Sequence, residues 1–321
     1  MLDSRFGYGY NKRMWKDVHK PGRKGKRVKK RRRQGMDRAA VARETLEIIR
    51  QGYYFFPENE RQKGIGKRIE IGEDIRQSVE KSFLLTPEQG EELLETYGKN
   101  RINACDKELL IRKSIVENTA TVEAVRRLSR EGKFGIGVLN FASAKNPGGG
   151  FLNGAMAQEE SLAASGSLYP ALTRHETYYR INRAQRSMMY TDYAIYAPDV
   201  VFFRDGKFCL VEDPVKASVL TLPAVNMGQV LLKGEDSQKA EQVMRRRMKL
   251  VLCIFAGQGA KHLVLGAYGC GVFRNNPKQI AIWWKELLEE GLGNFFDSIT
   301  YAVLDRAKNQ ACIRAFEEVL G

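Results

Sequence analysis

One short stretch of the chain, NPGGGFLNGAMAQEESL at positions 146–162, constrains the fold more than any other. It follows an apolar run at 133–143 that predicts a buried strand, and its second half indicates the start of a helix. The consecutive glycines Gly148–Gly150 allow positive φ angles and close approach to a ligand, because no Cβ intervenes. A strand, a glycine loop and a helix in this order predict a ligand site at the carboxyl end of a strand in an α/β sheet.

Predicted strands and helices alternate in the second half of the chain, which favours an α/β fold with helices on both faces of the sheet. Helices are predicted over 37–51, 86–98, 118–132, 237–257, 276–290 and 309–320. Strands are predicted over 66–71, 133–143, 193–196, 200–203, 208–211, 215–221, 262–267 and 299–304, and 53–56 is a short strand or a buried turn. Asp37 is expected to cap the first helix, and Thr86 and Gln89 to form a capping box.

Positive charge is concentrated at the amino end of the chain. The net charge is +15, and residues 1–38 hold 15 Lys and Arg against three Asp, which leaves +3 for the other 283 residues. Because this segment has little apolar content, residues 1–36 are predicted to be a disordered basic tail and 37–321 a single domain. Three interpretations of the tail stay open: weak nucleic-acid contact, a nuclear address, or a dispensable start before Met36.

Cysteine, histidine and hydrophobicity patterns restrict the class of protein. Five cysteines without a CxxC pair indicate buried thiols in a reducing compartment, so a cytoplasmic protein is expected. The three histidines lack metal-ligand spacing, so neither a metal nor another cofactor is expected. No apolar run approaches the roughly 20 residues of a membrane span. The basic and aromatic segment 178–186 is interpreted as a solvated helix face, with a surface for a polymeric anion as the alternative.

Two adjacent carboxylates, Glu159 and Glu160, follow the glycine loop. A phosphate site alone does not explain them, because both would repel the anion. They are explained if one holds a proton, since a nearby negative charge and partial burial both raise a carboxyl pKa. A protonated glutamic acid can donate to the leaving oxygen of a glycoside. Adjacent helical residues point about 100° apart, so the two have different roles. The alternative is an acidic first helical turn stabilised by the helix dipole.

The sequence Gly148-Gly149-Gly150, then seven residues, then Gln158-Glu159-Glu160 resembles the signature of poly(ADP-ribose) glycohydrolases. The surrounding VLNFASAKNPGGGFLNGAMAQEESLAASGSLYPAL resembles their microbial branch, and the resemblance extends from about residue 37 to the end of the chain. It implies a macrodomain that binds ADP-ribose: a three-layer α/β/α fold with a mixed sheet, here with an N-terminal helical extension. It also implies hydrolysis of the ribose–ribose O-glycosidic bond of poly(ADP-ribose).

The resemblance also implies roles for individual residues. Glu160 corresponds to the catalytic acid and base, and Glu159 to the residue that holds the ribose hydroxyl groups. Gln158 then shapes the pocket, and Asn140 and Asn146 line its ribose side.

A second glycine loop, GAYGCGVFRNNP at 266–277, follows a predicted strand and precedes a helix. It resembles the second phosphate-binding loop of macrodomains, which implies diphosphate contacts from Gly269, Gly271 and Val272 and an orienting contact from Phe273 to the distal ribose. The alternative is a strand-to-helix turn with a core phenylalanine. Cys270 is interpreted as a small buried spacer between the glycines.

Three functions are compatible with these features. The first is a glycohydrolase that acts mainly at the ends of poly(ADP-ribose) and releases ADP-ribose. The second is a non-catalytic macrodomain that reads ADP-ribose, and the third is a nucleic-acid-associated ADP-ribosyl hydrolase that uses the basic tail. The glutamate pair favours an enzyme, because a reader has no need of two adjacent charges. The expected substrate is poly(ADP-ribose) or an ADP-ribosylated protein, and the expected state is a monomer without a membrane partner.

Overall fold

The computed structural model describes residues 37–57, 66–98 and 106–321. The predicted tail over 1–36 and Cys105 lie outside the described residues. The helices are α1 Arg38–Gln51, α2 Gly72–Lys81, α3 Pro87–Thr96, α4 Lys107–Lys113, α5 Thr121–Arg130, α6 Gln158–Ser165, α7 Leu168–Arg174, α8 Glu176–Ala184, α9 Met227–Leu232, α10 Ser237–Gly257, α11 Pro277–Glu289 and α12 Ala311–Leu320. The strands are β1 Tyr53–Pro57, β2 Gly66–Glu70, β3 Phe83–Leu85, β4 Ser114–Glu117, β5 Ile136–Phe141, β6 Ala194–Arg204, β7 Leu210–Leu222, β8 His262–Leu265 and β9 Ser298–Ala302.

A seven-stranded mixed sheet in the order β3-β6-β7-β5-β8-β9-β4 forms the centre of the fold, and β1 and β2 form a separate antiparallel pair. The strands from β7 to β4 in that order are mutually parallel, whereas β6 is antiparallel to both its neighbours. In register, Val138 of β5 lies opposite Val219 of β7 and Val264 of β8. The carboxyl ends of the parallel strands therefore meet at one edge of the sheet.

Helices cover both faces of this sheet, because successive side chains of a strand point to opposite sides. Leu139 of β5 belongs to a buried cluster shared with α10, α11 and α12. Its neighbour Val138 belongs to a second cluster, shared with α5, α7 and α8. The three-layer α/β/α arrangement with a mixed sheet is confirmed.

The four short strands predicted between 193 and 221 are two long strands, β6 and β7. A bulge interrupts the pairing after Ala197, where Asp199 has a φ of 51°, and the ladder then resumes. Pro198 therefore lies at an irregularity within a strand and does not end it. The turn before β7 includes Phe208, which has a φ of 64°.

The N-terminal helix α1 supports the glycine loop. Asp37 caps it by accepting the N–H of Ala40, as predicted. Ala42 packs in a small buried cluster with Phe151, which follows the glycines. The hydroxyl of Thr45 donates to the carbonyl of Ala164 on α6 at 2.8 Å. Helix α1 thus holds the two segments that flank the predicted acidic pair.

Helix α8 matches its interpretation as a solvated face only in part, because Arg180 and Arg183 are exposed but the aromatic residues are not. Tyr178 and Tyr179 are fully buried, with ring centroids 4.6 Å apart in an edge-to-face arrangement. They pack in the second hydrophobic cluster, on one face of the sheet. Their aromatic rings are therefore part of the core and are not available to bind a polymeric anion. In the described part of the chain, no helix is long and apolar enough to cross a membrane.

Candidate active site

A cavity of about 1060 Å³ opens at the carboxyl edge of the parallel strands. The loops that follow β5 and β8 lie on its walls, because these neighbouring strands end at the same edge. The predicted site residues that line it are Asn146, Gly149, Gly150, Gln158, Glu159, Glu160, Gly269, Gly271, Val272 and Phe273. Asn140 and Gly148 are buried and do not line the cavity. The fold thus brings together two loops more than 100 residues apart in the sequence.

The first glycine loop makes room for the acidic pair. Gly148 and Gly149 have φ angles of 66° and 58°, which side chains rarely adopt. A Cβ on Gly149 would lie 2.3 Å from Oε1 of Glu160 and 3.2 Å from Oε2 of Glu159. Both carboxyl groups therefore meet at the bare backbone of Gly149.

Glu160 is held by two backbone donors. Its Oε1 accepts the N–H of Gly150 and its Oε2 accepts the N–H of Ala157, both at 2.9 Å. The second bond belongs to the first turn of α6, where a glutamate at the third helical position commonly reaches back to the cap residue. The side chain is half-buried and lines the cavity. Its carboxyl group is therefore both oriented and accessible to a ligand.

Glu159 is the buried member of the pair, with 3% of its surface exposed. Its Oε2 accepts the N–H of Ser143 at 2.7 Å, and its Oε1 accepts an N–H of the Asn140 amide at 3.3 Å. Burial raises the pKa of Glu159 to about 8, and the charge of Glu160 acts in the same direction, while the hydrogen bonds oppose the shift. Glu159 is therefore mainly protonated at neutral pH, and the adjacent acids do not carry two full charges.

This arrangement modifies the interpretation of the glycines. A glycine loop before a helix predicts that the N–H groups of Gly148–Gly150 bind a phosphate group. In the structure, the N–H of Gly149 donates to the carbonyl of Asn146 and the N–H of Gly150 donates to Glu160. These donors are used within the protein, because the carboxylate of α6 reaches back to the loop.

Hydrogen bonds from Gln158 and Asn140 help to position Glu159 and the start of α6. The side-chain oxygen of Gln158 accepts the N–H of Phe141 at 2.9 Å, and its amide donates to the carbonyl of Leu139 at 2.8 Å. These bonds fasten the start of α6 to the end of β5. Asn140 is fully buried and also donates to the hydroxyl of Thr221 at 3.1 Å. It contacts Glu159 and does not line the cavity.

The second glycine loop has free backbone donors. Gly269 has a φ of 73°, and a Cβ there would lie 2.6 Å from both Ala224 and the amide nitrogen of Asn275. The buried Asn275 amide donates to the carbonyls of Val225 and Gly269 and fixes the loop. Among the residues that the structure describes, no acceptor is bonded to the three successive N–H groups over 271–273. Clustered backbone N–H groups of this kind bind phosphate oxygens.

Comparison with known proteins identifies the family. Residues 42–205 match the family model described as the catalytic domain of microbial-type PARG, the poly(ADP-ribose) glycohydrolases. The chain belongs to this family. A poly(ADP-ribose) glycohydrolase structure from Thermomonospora curvata shares 36% identity over 88% of this chain and 98% of its own, with a TM-score of 0.80. One from Deinococcus radiodurans in complex with ADP-ribose shares 40% identity over 77% of this chain and 96% of its own, with a TM-score of 0.68.

A further Thermomonospora curvata structure, bound to the inhibitor ADP-HPD, shares 35% identity with this chain, covers 88% of it and 98% of its own chain, and has a TM-score of 0.78. A search of curated proteins gives no significant match. Membership in the PARG family makes this chain a glycohydrolase. The choice between an enzyme and a non-catalytic reader is thereby decided for the enzyme.

Several residues of the PARG cavity were not predicted from the sequence. They are Thr119, Ala120, Thr121, Ser143, Tyr169, Phe208, Asp305 and Arg306. Ser143 could have been found, because it is the last residue of the predicted strand that leads into the glycine loop. Phe208 gives no local signal, since it reaches the cavity only through the β6–β7 hairpin. Within residues 37–57, 66–98 and 106–321, no three His, Cys, Asp or Glu side chains are grouped as a metal site would require.

Proposed function

We propose that this PARG hydrolyses the ribose–ribose O-glycosidic bond of poly(ADP-ribose) and releases ADP-ribose, mainly from chain ends. The observation that carries this proposal is the convergence of one accessible and one buried, neutral carboxyl group on Gly149. The relatives support it, because one solved PARG holds ADP-ribose and another holds the inhibitor ADP-HPD.

The two glycine loops suggest how the substrate lies in the cavity. The diphosphate is held by the free N–H groups over 271–273, which supply donors without a competing protein acceptor. The terminal ribose then reaches the carboxyl groups at the first loop, with Phe273 as an apolar wall of the cavity. This orientation places the scissile bond beside Glu160.

Glu160 acts as the acid and then as the base. It enters the reaction with a proton, which the water-activating step of the preceding turnover leaves on it, and this proton passes to the oxygen of the leaving ribose as the bond from that oxygen to the anomeric carbon breaks. Positive charge develops on the ribose that stays in the site, and the substrate's own diphosphate stabilises it. The resulting Glu160 carboxylate removes a proton from the water that attacks the anomeric carbon. The two backbone donors over Glu160 hold its carboxyl group in place throughout.

Glu159 holds the ribose hydroxyl groups. As a neutral acid it offers both an O–H donor and an acceptor oxygen, which a pair of sugar hydroxyls requires. Its neutrality also avoids repulsion of the diphosphate. The bonds from Ser143 and Asn140 fix the carboxyl group, so that the ribose meets a rigid partner.

The size of the cavity supports action at chain ends. A volume of about 1060 Å³ lies at the upper end of the range typical of pockets that enclose a single small-molecule ligand. The cavity thus suits one terminal ADP-ribose unit rather than an internal stretch of polymer.

Two near-isosteric substitutions test the assignment. With purified poly(ADP-ribose), Glu160→Gln is expected to lower kcat by about 100- to 10,000-fold, because an amide cannot transfer the proton. It should keep its affinity for ADP-ribose, as measured by calorimetry. Glu159→Gln replaces a neutral acid with a neutral amide, so its turnover should fall less. The opposite order of the two variants would reverse their roles, and a wild-type protein that releases no ADP-ribose would refute the function.

Nucleic-acid contact through the basic tail stays a prediction, since residues 1–36 lie outside the described structure. The monomeric state, the cytoplasmic location and the preference for chain ends are also predictions.

A further inference from the structure

Two cysteines that are distant in the sequence line the active-site cavity and interact with each other. Cys270 lies in the second glycine loop, between Gly269 and Gly271, and Cys312 lies in the first turn of α12. Both line the cavity and both are partly exposed. Cys270 is therefore only in part the buried spacer that the sequence suggested, because it packs against the main hydrophobic cluster and also lines the cavity.

The thiol groups of Cys270 and Cys312 lie close enough to interact, and the Cys270 thiol also donates to the carbonyl of Tyr268 at 3.8 Å. The interaction between the thiols lowers the pKa of Cys312 and raises the pKa of Cys270, although burial and the charge of Asp305 raise the pKa of Cys312 in part. Asp305 also accepts the N–H of Cys312 at 2.9 Å, which fixes the start of α12. One thiol is thus favoured to lose its proton while the other, in contact with it, keeps its own.

The other cysteines that the structure describes lack this arrangement. Cys209 is exposed and lies outside the cavity wall. Cys253 is buried, and burial raises its pKa to about 12. Reactive cysteines are accessible and acidic, and those that form disulfides have a second thiol within reach. Among the described residues, Cys312 is a partly exposed thiol with a lowered pKa, and Cys270 is the second thiol beside it.

We propose that Cys270 and Cys312 are a redox modification site, which a peroxide that enters the cavity converts to a reversible disulfide. For its effect on activity, this inference rests on the proposed function of the same cavity.

The chemistry requires only a peroxide and the two thiols. The Cys312 thiolate attacks one peroxide oxygen, the O–O bond breaks, and hydroxide leaves and takes a proton to form water. Cys312 is then a sulfenic acid. The Cys270 sulfur attacks the Cys312 sulfur, an S–S bond forms, and the departing hydroxide takes the Cys270 proton. Two thiols lose two electrons and two protons, and one hydrogen peroxide becomes two waters. A dithiol reductant restores the thiols.

The disulfide would tether the second loop to α12. Cys270 directly precedes the three free N–H groups over 271–273, so movement of its sulfur displaces these donors. The loop has room to shift, because a Cβ on Gly271 would meet no atom within 4 Å. Oxidation should therefore weaken the binding of a diphosphate ligand without unfolding the protein.

Oxidation of the full-length protein tests whether this disulfide forms and whether it weakens ligand binding. After treatment with hydrogen peroxide, intact mass should fall by two hydrogen atoms, and peptide mapping should find a Cys270–Cys312 linked peptide. The Kd for ADP-ribose should rise by about tenfold, which corresponds to 1.4 kcal/mol, and dithiothreitol should reverse both changes. Each variant is compared with its own untreated sample. Cys312→Ser should lose the linked peptide and the peroxide effect, whereas Cys209→Ser should keep both.

The outcomes separate this inference from the proposed function. Absence of the linked peptide in oxidised wild type, which needs no variant, would overturn the modification site. An equal loss of affinity in Cys312→Ser would also overturn it. If the peptide forms but untreated protein releases no ADP-ribose from the polymer, the redox site stands and the proposed function fails.

Discussion

The two glycine loops of the cavity look alike in sequence and differ in what their glycines do. In the first loop, Gly149 leaves the space that the oxygens of Glu159 and Glu160 occupy. In the second, the space beside Gly269 is taken by Ala224 and the Asn275 amide, and the following N–H groups stay free. The first loop thus serves protein carboxyl groups, whereas the second keeps backbone donors that a ligand could use.

The comparison shows that a glycine cluster is not by itself a phosphate signal. Whether backbone N–H groups are available depends on which acceptors the rest of the fold brings to them. At the first loop, the carboxylate of Glu160 accepts the N–H of Gly150, so fewer backbone donors are available to a phosphate. At the second loop no carboxylate accepts from the N–H groups over 271–273 among the described residues. We therefore expect the first loop to serve catalysis and the second loop to bind the diphosphate.

The largest effect is expected for Gly149→Ala. Alanine is disfavoured at a φ of 58°, and its Cβ would overlap Glu160 at 2.3 Å. We expect kcat on poly(ADP-ribose) to fall by about 1,000-fold, which is about 4 kcal/mol of lost transition-state stabilisation. ADP-ribose affinity should change less, since the diphosphate is bound elsewhere. Near-normal turnover would show that the carboxyl groups do not depend on this glycine.

The pH dependence of stability should reveal the buried acid of the first loop. The folded-state pKa of Glu159, about 8, lies above its ordinary value of 4.5. Between these pH values the folded protein holds a proton that the unfolded chain has lost, so stability falls as pH rises and levels off above about pH 8. In urea unfolding, wild type should lose about 5 kcal/mol more than Glu159→Gln over this window. Glu160→Gln is the control and should retain the loss, whereas parallel curves for wild type and Glu159→Gln would contradict the burial argument.

Gly269→Ala tests the second loop. Its φ of 73° and the close contact with the Asn275 amide oppose a side chain, so the loop must shift. The Kd for ADP-ribose should rise by about tenfold, with kcat at saturating substrate less affected. Calorimetry and steady-state kinetics measure the two effects separately. A variant that loses kcat but keeps its affinity would place this loop in catalysis and end the division between the loops.

Gly271→Ala is the smallest change and the matched control for Gly269→Ala. A Cβ at this position meets no atom within 4 Å, and its φ is not in the left-handed region. The Kd for ADP-ribose should rise by about twofold or less. This is well below the increase of about tenfold, or 1.4 kcal/mol, that is expected for Gly269→Ala. A loss as large as that of Gly269→Ala would mean that the bound ligand itself occupies the space beside Gly271.

Local signals in the sequence predicted much of the fold. Helix α10 has the predicted bounds, and the capping box of Thr86 and Gln89 is present. The strand, loop and helix around the glycines lie where the pattern placed them. Helices α2, α4, α7 and α9 and strands β3 and β4 were not predicted, because most of them are short and their burial comes from packing against distant parts of the chain.

The sequence alone determined that this chain is an α/β protein with a glycine loop and an acidic pair at a strand end, because helix caps, periodicity and glycine clusters act over a few residues. It did not determine which acid is buried. Tertiary structure decided that Glu159 is protonated and Glu160 accessible, that Asn140 contacts Glu159, and that Cys270 meets Cys312. Burial and approach depend on groups far apart in the chain, so adjacent or similar residues acquire different chemistry only when the fold surrounds them.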